Sequence, residues 1–136
     1  MTDVLFIIGS ESDKPRIEPG VELLESKKLS YRLEVLSAHR NLPELISFLG
    51  EHGKEFRVII AAAGLSAALP GVVASQVDRP VIGIPLDAGP LSGIDALLSI
   101  LQLPKGVPVA TMGIGKQGVL NAVHLAERIV RLAEST

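Results

Sequence analysis

The side chains able to do chemistry in this chain fall into a few short clusters. The first is Gly9-Ser10-Glu11-Ser12-Asp13, where hydroxyls and a carboxylate precede a helical pattern. Gly9 permits a tight turn with close backbone approach. A helix N-terminus behind it attracts anions. The cluster suits a phosphate and the hydroxyls of a sugar, and it equally suits capping of the helix by Ser12 or Asp13. The second cluster is Ser37-Ala38-His39-Arg40. His39 follows a strand pattern and precedes a helical one, and an imidazole titrates near neutrality. Arg40 matches a phosphate or carboxylate, and also sits where it can pair with Glu44. The third runs from Ala63-Gly64-Leu65-Ser66 to Gly71. Its small residues admit a ligand to backbone N–H groups, or simply let a helix pack tightly on a sheet.

Two other signals point away from chemistry. Gly113-Ile114-Gly115-Lys116-Gln117-Gly118 matches the dinucleotide pattern G-x-G-x-x-G. That reading needs a further strand with an acidic residue about 20 positions on. The 18 residues after Gly118 contain no strand pattern. His52 and His124 fall in helical segments as solvated residues, and the three His have no metal-ligand spacing, so no metal is expected.

The elements that must position these clusters alternate regularly. Val4 to Ile8, Tyr31 to Leu36, Arg57 to Ala63, Val81 to Leu86 and Val107 to Met112 read as strands. Helical patterns lie between them: from after Gly9-Ser10 to about Leu29, then 42–52, Ser66 to Val77, Gly93 to Leu103 and Gln117 to Ala133. Short apolar strands alternating with helices predict a five-stranded parallel sheet covered on both faces. Pro15 fits a first helical turn after an Asp13 cap. Pro19 is expected to kink or delay that helix. Ligands bind such sheets outside the carboxyl ends of the strands. The loops to read are therefore 9–14, 37–42, 64–71, 86–93 and 112–118.

Composition removes several function classes. The chain has 136 residues, the size of one domain spanning 1–136. Lys plus Arg number 13 against 15 Asp plus Glu, so no basic excess exists for nucleic acid. Aromatic residues are 3%, too few for base-stacking platforms or for sandwiching a flavin. There is no Cys, hence no disulfide or thiolate chemistry, in keeping with a reducing cytoplasm. The N-terminus lacks a basic n-region and a cleavage site, and no apolar stretch reaches a membrane span. Hydrophobic residues are nonetheless 47% of the chain. A domain this small buries only about 68–70% of its surface, so a surplus of aliphatic side chains is expected between subunits, foremost in Leu97-Leu98 to Leu103.

Taken in order, the clusters resemble one family. Gly9 to Asp13, Ser37 to Arg40, Gly64 to Gly71, Pro80 to Pro85, Gly93 to Pro104, Gly106 to Thr111 and Asn121-Ala122 are similar to the N5-carboxyaminoimidazole ribonucleotide mutases and phosphoribosylaminoimidazole carboxylases of purine biosynthesis. The resemblance runs from about Val4 to Leu132. It implies a flavodoxin-like three-layer αβα sandwich, a homo-octamer or other homo-oligomer, and neither metal nor organic cofactor. It implies a mutase that moves a carboxylate from N5 to C4 of an imidazole ribonucleotide through released CO2, toward IMP. On it, His39 is the general acid/base. Gly9, Ser10, Ser12 and Asp13 bind the nucleotide, and Arg40 its phosphate. Ser37, Ala38, Gly64 and Leu65 line the place of CO2. Ser-Ala-His-Arg resembles the mutase branch, since the branch using free CO2 typically has Lys after the His.

The chain departs from the family pattern at Leu65, usually Gly, and at Ala68, usually His. Lys14 stands where Trp is common and Ile8 where Met is, and typical members extend one helix further. Two alternatives follow: a carboxylase using free CO2, and a nucleotide-binding relative with weakened catalysis.

Overall fold

Val4 to Ile8 and Val58 to Ala63 contain no polar side chain, and both runs are buried throughout. Such strands need helices on both faces. The computed structural model, which describes residues 1–135, provides them. In chain order the elements are β1 (Thr2–Ile8), α1 (Lys14–Ser26), β2 (Tyr31–Val35), α2 (Leu42–His52) and β3 (Phe56–Ala63). They continue with α3 (Leu69–Gln76), β4 (Val81–Pro85), α4 (Ile94–Leu101), β5 (Ala110–Thr111) and α5 (Lys116–Glu134). Single 3-10 turns at Glu11–Asp13 and Gly53–Glu55 lead into α1 and β3. The five strands form one sheet in the order β2-β1-β3-β4-β5, and every pairing is parallel. This is the flavodoxin-like order.

The pleat divides the core in two. Val4, Phe6 and Ile8 of β1, with Val58, Ile60 and Ala62 of β3, face Ile17, Val21 and Leu24 of α1 and the apolar stripe of α5. Leu5, Ile7, Ile59 and Ala61 face Leu45 and Leu49 of α2, Val73 of α3, and Ala96 and Ile100 of α4. The strand period of two and the helix period of 3.6 thus agree on one three-layer answer.

Three boundaries and one expected kink differ from the sequence reading. The fifth strand is two residues rather than six: only Ala110 and Thr111 pair, with Ile82 and Gly83. Pro108 has no N–H for the ladder, and Pro104 and Gly106 turn the chain before it. The third helix starts at Leu69, not Ser66. Leu65 takes a left-handed φ of 57°, and Pro70 occupies the first turn. The first helix ends at Ser26. Lys28 adopts a φ of 59°, and the Leu29 N–H turns back to the Leu24 carbonyl at 3.1 Å. That helix is also continuous through Pro19. The proline removes one hydrogen bond to Pro15, and core packing of Ile17, Val21 and Leu24 outweighs the loss.

The G-x-G-x-x-G stretch has a packing explanation. The Gly115 N–H bonds the Pro85 carbonyl at 2.9 Å, which ties the start of α5 to the end of β4. Gly118 lies against the Gly113 backbone, where an added Cβ would overlap the Gly113 carbonyl oxygen. Since neither group is a flexible side chain, Gly118→Ala forces the loop to move. Overpacking of this kind costs about 1–3 kcal/mol, and a urea unfolding midpoint lowered accordingly is the expected result.

Candidate active site

The loops leaving β1 and β3 diverge because β1 continues to one side of the sheet and β3 to the other. The gap between them opens a cavity of about 570 Å³ at the carboxyl ends of the strands. The loops after β1, β2, β3 and β4 line it; the 112–118 loop, read as a fifth ligand loop, does not. All ten residues singled out from the sequence meet there. Gly9, Ser10, Ser12 and Asp13 come from the first loop, and Ser37, Ala38, His39 and Arg40 from the second. Gly64 and Leu65 come from the third. His52 and His124 do not line the cavity; His52 bonds Glu55 at 2.6 Å, and His124 is exposed.

Local hydrogen bonds set each wall. The Ser10 hydroxyl accepts the Ser12 N–H at 3.2 Å and lies 2.8 Å from the Ser12 hydroxyl. This pair caps the entry to the helix, so Asp13 does not: its side chain makes no capping bond. The Ser37 hydroxyl accepts the N–H groups of His39 and Arg40 at 3.2 and 3.1 Å. Its carbonyl accepts the Asn41 N–H at 2.9 Å. Ser37 therefore holds a closed turn with His39 near its apex. Arg40 does not pair with Glu44 and makes no ion pair among the described residues. Both His39 and Arg40 are exposed at the cavity.

Two further residues belong to the cavity and were not picked out from the sequence. One is Ala88, a small apolar group on the loop after β4. The other is Arg16, one helical turn after Asp13. Its Nη1 lies 3.4 Å from Asp13 Oδ1, and its Nε lies 3.7 Å from Asp87 Oδ1. The i,i+3 spacing of Asp13 and Arg16 is visible in the sequence; Asp87 is 71 residues further on, and nothing local announces it.

The wall beside His39 is small and apolar: Ala38, Ala63, Gly64, Ala68 and Ala88. Leu65 overhangs it, half exposed, with its side chain against Gly89. Gly89 has a φ of 83°, and a Cβ there would overlap the Leu65 side chain. The loops after β3 and β4 thus meet at a left-handed leucine and a left-handed glycine. Asp13 is the buried charged residue. Burial pushes its carboxyl above the ordinary carboxylate range, and the Arg16 guanidinium pulls it back in part. The Arg40 guanidinium and the His39 imidazole, with one buried carboxyl, suit an anionic ligand with hydroxyl groups. No group of three or more His, Asp or Glu able to hold a metal exists among the described residues.

Comparison with known proteins places the whole chain in one family. The family model for AIR carboxylase matches residues 3–136. The chain belongs to the AIR carboxylase family. It is 42% identical over 131 residues to the N5-carboxyaminoimidazole ribonucleotide mutase of Brucella melitensis, covering 96% of this chain and 81% of that protein. It is 43% identical over 129 residues to the mutase of the same name from Escherichia coli K12, covering 93% and 76%. The crystal structure of Treponema denticola PurE superposes with a TM-score of 0.86 at 29% identity, covering 97% of this chain and 82% of that one. The plant phosphoribosylaminoimidazole carboxylase of Vigna aconitifolia matches at 43% identity, with this chain spanning 23% of its length.

Burial of Asp13 has a measurable consequence. An acid whose folded pKa is raised loses stability as pH climbs from its unfolded value of 3.8 through the higher folded value. Asp13→Asn cannot ionise and escapes that loss. Urea midpoints of the variant relative to the unaltered chain are expected to be higher at pH 7 than at pH 3.

Proposed function

We propose that the protein is an N5-carboxyaminoimidazole ribonucleotide mutase, moving the carboxylate from N5 to C4 of the imidazole in purine biosynthesis. The observation that carries this reading is the position of His39 at the apex of the Ser37 turn. It lines a cavity together with Ala38, Ala63, Gly64, Ala68 and Ala88, within a family whose bacterial relatives bear that name.

The chemistry accounts for the residue types. Breaking the N5–carboxyl bond releases CO2 and leaves a nitrogen that must gain a proton. Forming the C4–carboxyl bond leaves a proton on C4 that must be removed. One proton is given and one taken, so a single side chain able both to donate and to accept a proton closes the cycle. His39 has that role. CO2 is neutral and is retained by excluding water, which suits Ala38, Gly64 and their apolar neighbours. Leu65 adds cover over this wall. Ser10, Ser12 and Asp13, with Gly9, hold the ribose end, and Arg40 the phosphate. Proton transfer and CO2 retention are both within the reach of protein side chains, with no metal or organic cofactor.

The protein works as a homo-oligomer, with an octamer as the family-based expectation, in the cytoplasm. Its absence of Cys fits a reducing compartment. No helix among the described residues is long and apolar enough to cross a membrane. Leu91, Ile94, Leu98 and Leu101 form an exposed apolar stripe on and before α4, each more than half accessible. A second copy of the chain is the partner we assign to it.

The enzyme assay offers N5-carboxyaminoimidazole ribonucleotide in one arm and aminoimidazole ribonucleotide with bicarbonate in the other. C4-carboxylated product is expected chiefly in the first. Product only in the second arm identifies a carboxylase using free CO2. Nucleotide binding with turnover in neither arm identifies the weakened relative that Ala68 in the cavity wall favours. His39→Asn is expected to lower kcat by about 10²–10⁴-fold, the worth of general acid–base catalysis. The stripe is tested separately: Leu98→Asp is expected to shift sedimentation toward smaller species, and a chain that sediments as a monomer before substitution refutes the assembly.

A further inference from the structure

Arg16 carries an inference that rests on the ribonucleotide reading and goes beyond it. Its guanidinium lies at the cavity between two carboxylates, Asp13 on its own helical turn and Asp87 on the loop after β4. The Asp13 side chain is 10% exposed and the Asp87 side chain 60%. Of the two partners Asp13 is the buried one, so the Arg16 charge is screened least there. None of its contacts is short. Nη1 is 3.4 Å from both Asp13 Oδ1 and the Ser12 carbonyl, and Nε is 3.7 Å from Asp87. The fork is divided among three acceptors rather than committed to one, so its effect on Asp13 depends on what Asp87 takes.

We propose that Arg16 is a positioning residue, shared between Asp13 and Asp87, that holds Asp13 as a carboxylate to receive the sugar hydroxyls of the substrate. A protonated Asp13 would offer one oxygen as a donor and lose acceptor capacity. A carboxylate accepts at both oxygens, as two neighbouring ribose hydroxyls require. Burial works against the carboxylate and Arg16 works for it. The other charged groups around Asp13 are few. Lys14 is drawn to Glu11 at 2.8 Å, and His39 and Arg40 reach the same cavity from the loop after β2. Asp87 opposes the carboxylate as a competitor for Arg16.

The test follows the Asp13 side-chain carboxyl carbon by NMR across pH. It uses the unaltered protein, Arg16→Gln, Arg16→Lys and Asp87→Asn, each first checked for a native amide spectrum. Binding of aminoimidazole ribonucleotide is measured by calorimetry over the same range. Arg16→Gln is expected to raise the Asp13 midpoint by about one pH unit, and Asp87→Asn to lower it. Arg16→Lys is expected to stay near the unaltered value. Below the midpoint, Arg16→Gln is expected to bind the nucleotide about tenfold more weakly, with the loss disappearing at high pH. A midpoint that stays put in Arg16→Gln overturns the proposal. So does movement in the same direction in Arg16→Gln and Asp87→Asn, or a binding profile that ignores the midpoint. If the unaltered protein binds no ribonucleotide at any pH, the substrate reading and the binding half of the proposal fall together. The carboxyl titration still reports separately whether Arg16 governs Asp13.

Discussion

A strand covered on both faces has no room for a polar side chain. In this chain the constraint falls on the interior strands β1, β3 and β4. It places the groups of the site at the carboxyl ends of the strands, on the loops and the first turn of α1. Because β1 leads to β2 on one side and β3 leads to β4 on the other, those loops part, and the gap between them is the cavity. The site therefore follows from the order β2-β1-β3-β4-β5 and from the burial of its middle members.

Within the gap, rigidity comes from backbone bonds made by small hydroxyls. Ser10 caps the turn before α1, and Ser37 closes the turn after β2. Each hydroxyl thereby frees a neighbour from structural duty. Asp13 is released from capping, and His39 and Arg40 project from a turn that is already satisfied. The residues first read as binding groups thus divide into those that shape the loops and those that face the ligand.

Sequence patterning read the two-sided sheet well because the signal is strong: strand patterns of five to seven residues, most of them apolar, between helical periods leave one architecture. It was weakest at the edges. The fifth strand shrank to two residues because Pro108 cannot join a ladder. The third helix started late because Leu65 turns left-handed. Neither effect shows in hydrophobic periodicity. The candidate site was readable to the extent that its residues stand next to one another in the chain, as in 9–13 and 37–40. Ala88 and Asp87, the second partner of Arg16, were not, since their neighbours lie tens of residues away.

By itself the sequence determined the sheet, its two covering layers, the family and four of the loops that meet at the cavity, while adding a fifth, 112–118, that does not. Those properties depend on local period and on contiguous motifs. Only the tertiary structure decided that Asp13 is buried beside Arg16 rather than capping a helix, that Leu65 leans on Gly89, and that Gly118 packs against the Gly113 backbone. These are outcomes of which surfaces meet, and burial, the quantity that shifts a carboxyl or excludes a Cβ, exists only after the layers have closed.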